Sequence, residues 1–381
     1  MATVKREITT RITVVDDEIR QKVLEVLDRT PYYAGPETAA FEAEMAAYCE
    51  AARGVATNSG TSALLVALIA SGIRRGDEVL VPANTFPSVP ECALFVGARP
   101  VFTDVEADGN MSRATMEARL TPRTRAAIPV HNFGAPADMD GIMQLARERN
   151  LVIIEDGAHA LGARWRGRRV GAIGHVGFFS FGGKSITVCG QAGMAVTNDL
   201  ELGRRMASAR VHGYRSGLGK GGVNSDGTED TAESLGLNLR TTELHSAIGR
   251  LNLKRLDGWT AARKGAAKFY NDRFAAEKIP ATLPLPRPEQ EPGWLHYTIR
   301  APQRDALKDH LRDHGVHTSI LYRTPLYRHD AFVEYAGDPS WYPMTEEMSL
   351  DVLSLPSHPW MSSEDLEYVA DHVVEFYRGR H

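Results

Sequence analysis

Short hydrophobic runs and longer amphipathic segments alternate along the first half of the chain. Between residues 50 and 200, runs rich in Val, Ile and Phe are separated by segments with helical spacing of apolar residues. This alternation predicts an α/β fold with a large, mostly parallel sheet that helices cover on both faces. One helix is predicted over residues 138–150, with Asp138 as its N-cap. The predicted strands are 78–81, 99–102, 127–130, 152–155, 177–181 and 194–197.

The second half of the chain follows a different pattern. Residues 241–256 carry Leu and Ile at helical spacing and are expected to link a large domain to a smaller one. A strand over 294–300 and a helix over 304–314 predict that the smaller domain is α+β. A chain of 381 residues exceeds the usual size of one core, so two domains are expected. We place the large domain, with an N-terminal arm, at residues 1–255 and the small C-terminal domain at residues 256–381.

Charge and hydropathy narrow the functional classes. The formal net charge is −4 and 24% of the residues are charged, so no basic field favours nucleic acid. The longest strongly apolar stretch, residues 63–70, is far short of the roughly 20 residues that span a bilayer. The first residues lack the apolar segment of a secretory signal, and the three cysteines form no paired pattern. We therefore expect a cytoplasmic protein without membrane or nucleic-acid partners, whose cysteines are small core residues.

An acid and an amine at the ends of two predicted strands indicate a cofactor. Asp156 follows the strand 152–155, and Lys184 follows the strand 177–181. Pyridoxal phosphate needs a carboxylate that keeps its ring nitrogen protonated and a lysine that forms an imine with its aldehyde. A partly desolvated Lys184 amine also suits the base that moves a proton between substrate and cofactor. We predict pyridoxal 5'-phosphate as the cofactor, with Asp156 and Lys184 as catalytic residues.

Each of these residues also has a plainer interpretation. Asp is a favoured helix cap, so Asp156 alone would suit the start of the next helix. Most lysines are solvated at the surface, and Lys220 is a rival amine in a Gly-rich segment that is poorly suited to holding a cofactor. The pairing of Asp156 with Lys184, each after a buried strand, favours the cofactor interpretation.

A Gly-Thr-Ser segment before an apolar helix predicts the phosphate site. Gly60 and Thr61 precede the apolar residues 64–69, so their N–H groups face any ligand at that helix N-terminus. The Ser180 hydroxyl is predicted to add a further donor. The alternative is an ordinary helix cap without a ligand.

Other candidate residues follow a strand or lie near Asp156. Because ligands of parallel sheets gather at the carboxyl ends of strands, Phe86 and His131 are expected to converge with Asp156 and the lysine. Phe86 is predicted to stack on the pyridine ring, with core packing as the alternative. His159 is predicted as a catalytic and cofactor-binding residue that touches the other ring face or the phenolic oxygen, with a structural histidine as the alternative. The thirteen histidines contain no HExxH motif and do not group with cysteines, so no metal site is predicted.

Several short motifs together are more specific than any one of them. They are Tyr33-Ala-Gly-Pro36 with Phe41-Glu42, Ser59-Gly-Thr-Ser-Ala-Leu64, Pro82-Ala-Asn-Thr-Phe86, Glu155-Asp-Gly-Ala-His159, Ser180-Phe-Gly-Gly-Lys184, Gly236-Leu-Asn-Leu-Arg240, Ala247-Ile-Gly249 and Leu355-Pro-Ser-His-Pro359. Over nearly the whole chain, this set resembles the DegT/StrS family of sugar aminotransferases, which are pyridoxal-phosphate enzymes of the aspartate-aminotransferase fold.

The resemblance implies a fold type I transferase that moves an amino group from L-glutamate or L-glutamine to the ketone of a nucleotide-linked sugar or a cyclitol. Such a reaction serves the biosynthesis of sugars, antibiotics or cell-surface glycans. Carried over position by position, the residues are Lys184 for the imine, Asp156 for the ring nitrogen, Phe86 for stacking, and Gly60, Thr61 and Ser180 for the phosphate. Asn238 matches the asparagine that reaches the phosphate of the neighbouring subunit, which implies a homodimer with shared active sites.

The chain departs from the family pattern at several places. Ser180 precedes Lys184 by four positions rather than the usual five, so the intervening loop must be reshaped. Gly190-Gln-Ala-Gly193 replaces the usual Gly-Glu-Gly-Gly, and Leu321-Tyr-Arg323 replaces His-Tyr-Pro. Residues 215–234, rich in Gly, Ser, Asp and Thr, predict an enlarged loop. The Leu321-Tyr-Arg323 segment and the enlarged loop bear on which substrate fits more than on the cofactor.

Two other functions stay open from the sequence. One is a pyridoxal-phosphate dehydratase or lyase on the same fold, although relatives that dehydrate sugars are expected to replace the lysine by histidine. The other is a regulatory homologue without turnover, because fold does not imply function. No basic stripe or DNA-binding motif supports regulation.

Overall fold

A computed structural model describes residues 6–10, 14–29, 31–182, 191–217, 227 and 229–379. The α-helices in these ranges are α1 (Asp17–Leu27), α2 (Pro36–Tyr48), α3 (Gly60–Ala70), α4 (Ser88–Phe95), α5 (Arg113–Glu117), α6 (Met139–Arg149), α7 (Leu200–Ala209), α8 (Glu243–Ala276), α9 (Arg304–Asp313), α10 (Pro343–Asp351) and α11 (Ser363–Arg378). The strands are β1 (Arg53–Thr57), β2 (Glu78–Pro82), β3 (Arg99–Thr103), β4 (Thr124–Ala127), β5 (Val152–Asp156), β6 (Arg164–Trp165), β7 (Arg168–Arg169), β8 (Val176–Ser180), β9 (Gly193–Thr197), β10 (Gln290–Glu291), β11 (Tyr297–Arg300) and β12 (Val352–Leu355). The described helices include none whose length and apolar content would let it cross a membrane.

Seven strands of the described chain form one sheet in the order β1-β9-β8-β5-β4-β2-β3. The neighbours from β8 to β3 run parallel, whereas β9 runs antiparallel to both β1 and β8. The prediction of a mostly parallel sheet is therefore confirmed. β1 has no counterpart among the predicted strands.

The predicted strand 127–130 is displaced, because β4 ends at Ala127. Pro129 has no N–H to donate to a sheet ladder, so regular pairing stops there. The chain nevertheless continues alongside β5, since Val130 forms an isolated parallel bridge with Asp156. The residues after β4 therefore still reach the carboxyl end of β5.

The sheet separates two hydrophobic layers, and β5 shows how. Successive side chains of a strand point to opposite faces. Ile153 packs with Leu145 of α6, whereas Ile154 packs with Leu64 of α3. The helix predicted over 138–150 is observed as α6, and Asp138 caps it by accepting a hydrogen bond from the Gly141 N–H at 3.2 Å. Helices cover both faces, as predicted.

A second core lies in the C-terminal part of the chain, where β11 pairs with β12 and packs against α9 and α11. The predicted strand 294–300 and helix 304–314 correspond to β11 and α9. α8 joins the two cores as one helix, because Leu256 packs with the sheet and Tyr270 packs in the second core. Ile8 also packs in the second core. The division into domains at residues 255 and 256 stays a prediction.

Candidate active site

A cavity with about 1160 Å³ of non-protein space, partly open to solvent, lies at the carboxyl ends of β5 and β8. The strands, the start of α3 and the segment after β2 all contribute to its walls. The predicted site residues that line it are Gly60, Thr61, Phe86, Asp156, His159 and Ser180. The structure thus brings these residues together, and their individual roles stay predictions.

Asp156 is the last residue of β5 and is only 5% exposed. Its carboxylate oxygen Oδ1 accepts a hydrogen bond from the Ala158 N–H at 2.9 Å. That bond resembles the capping role considered from the sequence, but Asp156 also lines the cavity. A nearly buried carboxylate at a cavity wall suits a cationic ligand group, because an opposite charge nearby favours the ionised carboxylate.

Glu155 points to the opposite face of β5 and has a complete set of partners. Its carboxylate accepts hydrogen bonds from the N–H groups of Gly171 at 2.8 Å, Ile173 at 2.8 Å and Gly174 at 2.5 Å. His131 Nε2 lies 3.1 Å from the same carboxylate. Both Glu155 and His131 have no exposed side-chain surface. This acid therefore holds the loop after β7 rather than a ligand.

The prediction that His131 joins the site is wrong for its side chain. His131 Nδ1 accepts a hydrogen bond from the Ala137 N–H at 3.0 Å, which places the ring proton on Nε2, facing Glu155. His131 follows a strand as predicted, but its ring turns into the structural network and does not line the cavity. Its backbone N–H still contacts the site strand, because it donates to the Asp156 carbonyl at 3.0 Å.

The start of α3 offers backbone donors to the cavity. Ser59 is the N-cap, and its side chain accepts a hydrogen bond from the Ser62 N–H at 3.1 Å. That cap leaves the N–H groups of Gly60 and Thr61 directed beyond the helix end, where an anion is favoured. Cys92 lies beneath this turn and its Sγ donates to the Thr61 carbonyl at 3.5 Å. Burial raises the pKa of the Cys92 thiol to about 12, so it stays protonated and inert.

Gly60 is required by a close approach between α3 and β8. A Cβ atom placed on Gly60 would lie 2.4 Å from the Ser180 Cβ and 2.9 Å from its Oγ. The absence of a side chain therefore lets the Ser180 hydroxyl sit beside the helix N-terminus. Backbone and hydroxyl donors meet at one end of the cavity as a result.

Phe86 and His159 occupy different environments within the cavity. Phe86 is 54% exposed, which rules out the core-packing interpretation within this chain. His159 is only 5% exposed, and its ring packs edge-to-face on His296 with centroids 4.9 Å apart. His296 lies just before β11 and was not predicted for the site. Its contact joins residues far apart in the chain, so no local sequence motif marks it.

Lys184 and Lys220 lie outside the described residues. The described residues nearest to Lys184 on either side that line the cavity are Gly182 and Gln191. Gln191 was not predicted as a site residue, and neither was Tyr322, which lines the same cavity within the Leu321-Tyr-Arg323 departure. Both residues lie in segments where the chain departs from the family pattern, and that departure is the sequence signal that could have identified them.

Asn238 is not among the residues that line the cavity of this chain. It is exposed, and its Oδ1 accepts a hydrogen bond from Arg240 Nε at 3.1 Å. Nearby, Leu235 and Leu237 are 90% and 45% exposed. The segment around Asn238 therefore presents apolar and amide groups outward.

The comparisons with known proteins identify the family of this chain. The profile of the DegT/DnrJ/EryC1/StrS aminotransferase family matches residues 13–374. The erythromycin biosynthesis sensory transduction protein EryC1 of Saccharopolyspora erythraea is 38% identical over 362 residues, which are 94% of this chain and 93% of EryC1. The dTDP-3-amino-3,4,6-trideoxy-alpha-D-glucose transaminase of Streptomyces venezuelae is 38% identical over 357 residues, which are 93% of this chain and 90% of that enzyme.

A solved structure extends the likeness to the fold. DesV of S. venezuelae, in complex with a ketimine intermediate, superimposes with a TM-score of 0.87 at 37% identity and covers 94% of each chain. The predicted fold type I and the predicted aminotransferase class are thereby confirmed. The chain belongs to the DegT/DnrJ/EryC1/StrS aminotransferase family.

Proposed function

We propose that this protein is a pyridoxal-phosphate-dependent aminotransferase that moves an amino group from L-glutamate or L-glutamine to the ketone of a nucleotide-linked sugar or a cyclitol. The observation that carries the proposal is the meeting of Asp156, the start of α3 and Phe86 in one cavity. Pyridoxal phosphate, when bound, supplies an aldehyde that takes up an amine and a pyridinium ring that withdraws electrons.

Asp156 fits the ring-nitrogen end of that cofactor. Its carboxylate is almost buried and is fixed by the Ala158 N–H, so it is ordered before a ligand binds. A buried carboxylate favours a proton on a nearby ring nitrogen, because the ion pair offsets the cost of the buried charge. Asp156 therefore holds a proton on the heterocycle.

The opposite chemical end of the cofactor is a phosphate, and the start of α3 fits it. The Gly60 and Thr61 N–H groups and the Ser180 hydroxyl are donors at one helix N-terminus. The closeness of Gly60 to Ser180 leaves no room for a Cβ, so these donors converge tightly. Phe86, exposed at the cavity, covers one ring face, and His159 contacts the other side of the ring or its phenolic oxygen.

Lys184 is proposed as the lysine that binds the aldehyde and then serves as the base. The proposal rests on the Ser180-Phe-Gly-Gly-Lys184 motif and on the positions of Gly182 and Gln191, which both line the cavity. A lysine amine in a partly desolvated site accepts a proton more readily at neutral pH than a surface lysine. In the reaction, Lys184 moves the proton between the substrate carbon and the cofactor.

The acceptor class is proposed from relatives. One relative is named as a transaminase that makes a dTDP-linked amino sugar. Another relative is named as a sensory transduction protein, so a regulatory role without turnover is the alternative. A homodimer with shared sites is also proposed, because Asn238 is exposed beside exposed leucines and does not line its own cavity.

Borohydride reduction of the purified protein, followed by peptide mass analysis, tests the cofactor link. We expect the reduced cofactor on the peptide that contains Lys184, and a tag on another lysine, or none, would refute the assignment. Incubation with L-glutamate or L-glutamine alone then distinguishes a transaminase, because the lysine-bound absorbance band should convert to that of the aminated cofactor. A regulatory homologue without turnover would leave that band in place.

A further inference from the structure

The second core carries a group of histidines that the proposed aminotransferase reaction does not use. His310 lies in the last turn of α9 and His314 is the C-cap of that helix. His372 and Glu375 lie on α11, which packs against α9. Residues three or four positions apart lie on the same face of a helix, so each helix presents a pair of ligand groups.

The four side chains converge. One ligand atom from each of His310, His314, His372 and Glu375 can be chosen so that all lie within 4.8 Å of one another. The ring centroids of His314 and His372 are 4.1 Å apart, and those of His310 and His314 are 4.5 Å apart. Ligand atoms around a tetrahedral zinc ion lie about 3.3 Å apart, given bonds of about 2.0–2.1 Å. Small side-chain rotations would bring the group to that geometry.

The hydrogen bonds of these side chains leave ring nitrogens available. His314 Nδ1 lies 2.8 Å from the His310 carbonyl, and His372 Nδ1 lies 2.9 Å from the Glu375 carboxylate. The His310 carbonyl requires the proton of His314 on Nδ1, so the Nε2 of that ring carries the lone pair. A cation between His372 Nδ1 and the Glu375 carboxylate would replace the hydrogen bond that joins these two atoms. His310 Nε2 is buried and has no hydrogen-bond partner within the described part of the chain. This buried nitrogen lies beside two other imidazoles and a carboxylate, which is a set of donors that suits a cation.

We propose that His310, His314, His372 and Glu375 bind one divalent transition-metal ion of the zinc class. Three imidazoles are borderline donors, and together with one carboxylate they suit zinc better than magnesium or calcium. The protein supplies all four ligands, as in structural sites, where no position is left open for a substrate. The ion joins α9 to α11 and stabilises the second core. No sequence pattern predicts this site, because the two pairs are on separate helices and neither forms an HExxH motif.

The test uses the full-length protein after treatment with EDTA and dialysis. Zinc chloride is titrated into it by calorimetry, and thermal unfolding is followed with and without zinc. We expect one zinc ion per chain and a rise of the melting temperature that EDTA reverses, because a ligand of the folded state stabilises it. No rise of the melting temperature would refute the proposal.

Variants then locate the ion. In His314→Gln/His372→Gln, zinc affinity should fall by more than about 100-fold, because two direct ligands are lost and changes beyond the ligands alone cost 10–100-fold. The zinc-dependent rise of the melting temperature should disappear. Glu375→Gln is an exposed single change that tests the site if the double variant does not fold. His317→Gln is the matched control, because His317 is an exposed histidine paired with Glu7 and lies outside the cluster. Unchanged zinc binding in both site variants, or an equal loss in the control, would overturn the proposal.

Discussion

Glu155 and Asp156 are consecutive acids at the end of β5, and they face two different environments. Glu155 lies in a closed region where three backbone N–H groups and His131 satisfy its carboxylate. Asp156 faces the cavity, where its carboxylate accepts a hydrogen bond from the Ala158 N–H. The alternation of side chains along a strand thus places one acid in a closed hydrogen-bond network and the next at the cavity, where we propose that it serves the reaction. Both residues are carboxylic acids and both are nearly buried. They differ in what lies beside them, which is a hydrogen-bond network for Glu155 and the cavity for Asp156.

The sharpest way to test this division is Asp156→Asn. Asparagine keeps an oxygen for the Ala158 N–H, so the fold should stay intact, but a neutral amide does not stabilise a proton on the ring nitrogen. We expect the rate of the half-reaction with L-glutamate or L-glutamine to fall about 10²–10³-fold, by analogy with the loss of one electrostatic contact in an active site. Stopped-flow absorbance measures the rate, and urea unfolding measures stability.

Asp138→Asn is the matched control for that change. It makes the same replacement at the N-cap of α6, where Asn caps as well as Asp. Both the rate and the urea midpoint should match the wild-type values. An Asp156→Asn variant that kept the wild-type rate would remove Asp156 from the mechanism.

Glu155→Gln should give the reverse result, a loss of stability with a smaller effect on the reaction. With the amide nitrogen in the Oε1 position, the N–H groups of Ile173 and Gly174 lose their acceptor. In the other orientation, the Gly171 N–H and the His131 Nε2 proton lose theirs, and the Ala137 N–H prevents the ring from changing tautomer. We expect a cost of about 1–3 kcal/mol for each unsatisfied donor, measured by urea unfolding.

Glu155→Gln also has a clear opposite outcome. If it reduced the rate of the half-reaction as much as Asp156→Asn while leaving the free energy of unfolding unchanged, the division between the two acids would be wrong. Cofactor content, measured by absorbance after alkaline release, separates a true rate effect from loss of the cofactor.

The same contrast explains which parts of the site the sequence could predict. Gly60, Thr61 and Asp156 are set by local structure, because a helix start and a strand end fix where their groups point. His131 also follows a strand, but the direction of its ring depends on Glu155 and Ala137, which no local pattern reveals. The contact between His159 and His296 joins segments far apart in the chain, so no local sequence pattern predicts it either.

The fold was more predictable than its details, for a similar reason. The parallel strands could be predicted because a strand that is buried on both faces is a continuous apolar run. Helix α6 could be predicted because its apolar residues recur at helical spacing. β1 was not predicted, because this five-residue strand has polar residues at both ends and so contains no continuous apolar run. The end of β4 depends on Pro129, whose missing N–H stops the ladder within an otherwise apolar run.

Gly60→Ala tests the crowded phosphate end of the cavity. The added Cβ would lie 2.4 Å from the Ser180 Cβ, so either α3 or the end of β8 must move. Such overpacking costs about 1–3 kcal/mol, and we expect cofactor affinity to fall because the donors separate. Gly258→Ala in α8 is the control, since a Cβ there meets nothing within 4 Å. Equal cofactor affinity in the two variants, measured by fluorescence titration of the apoprotein, would contradict a phosphate role for this turn.

Phe86→Leu should have the smallest effect among these changes. Leucine keeps apolar contact but lacks the ring face that stacks on a heterocycle, and aromatic pairs contribute about 0.5–1.5 kcal/mol beyond area burial. We expect cofactor affinity to fall by up to about tenfold, with unfolding of the apoprotein unchanged because Phe86 is 54% exposed. Phe95→Leu at the end of α4 is the control, since Phe95 is 73% exposed and does not line the cavity. If both variants weakened cofactor binding equally, the loss would reflect a general effect of exposed phenylalanines, and Phe86 would not be the stacking residue.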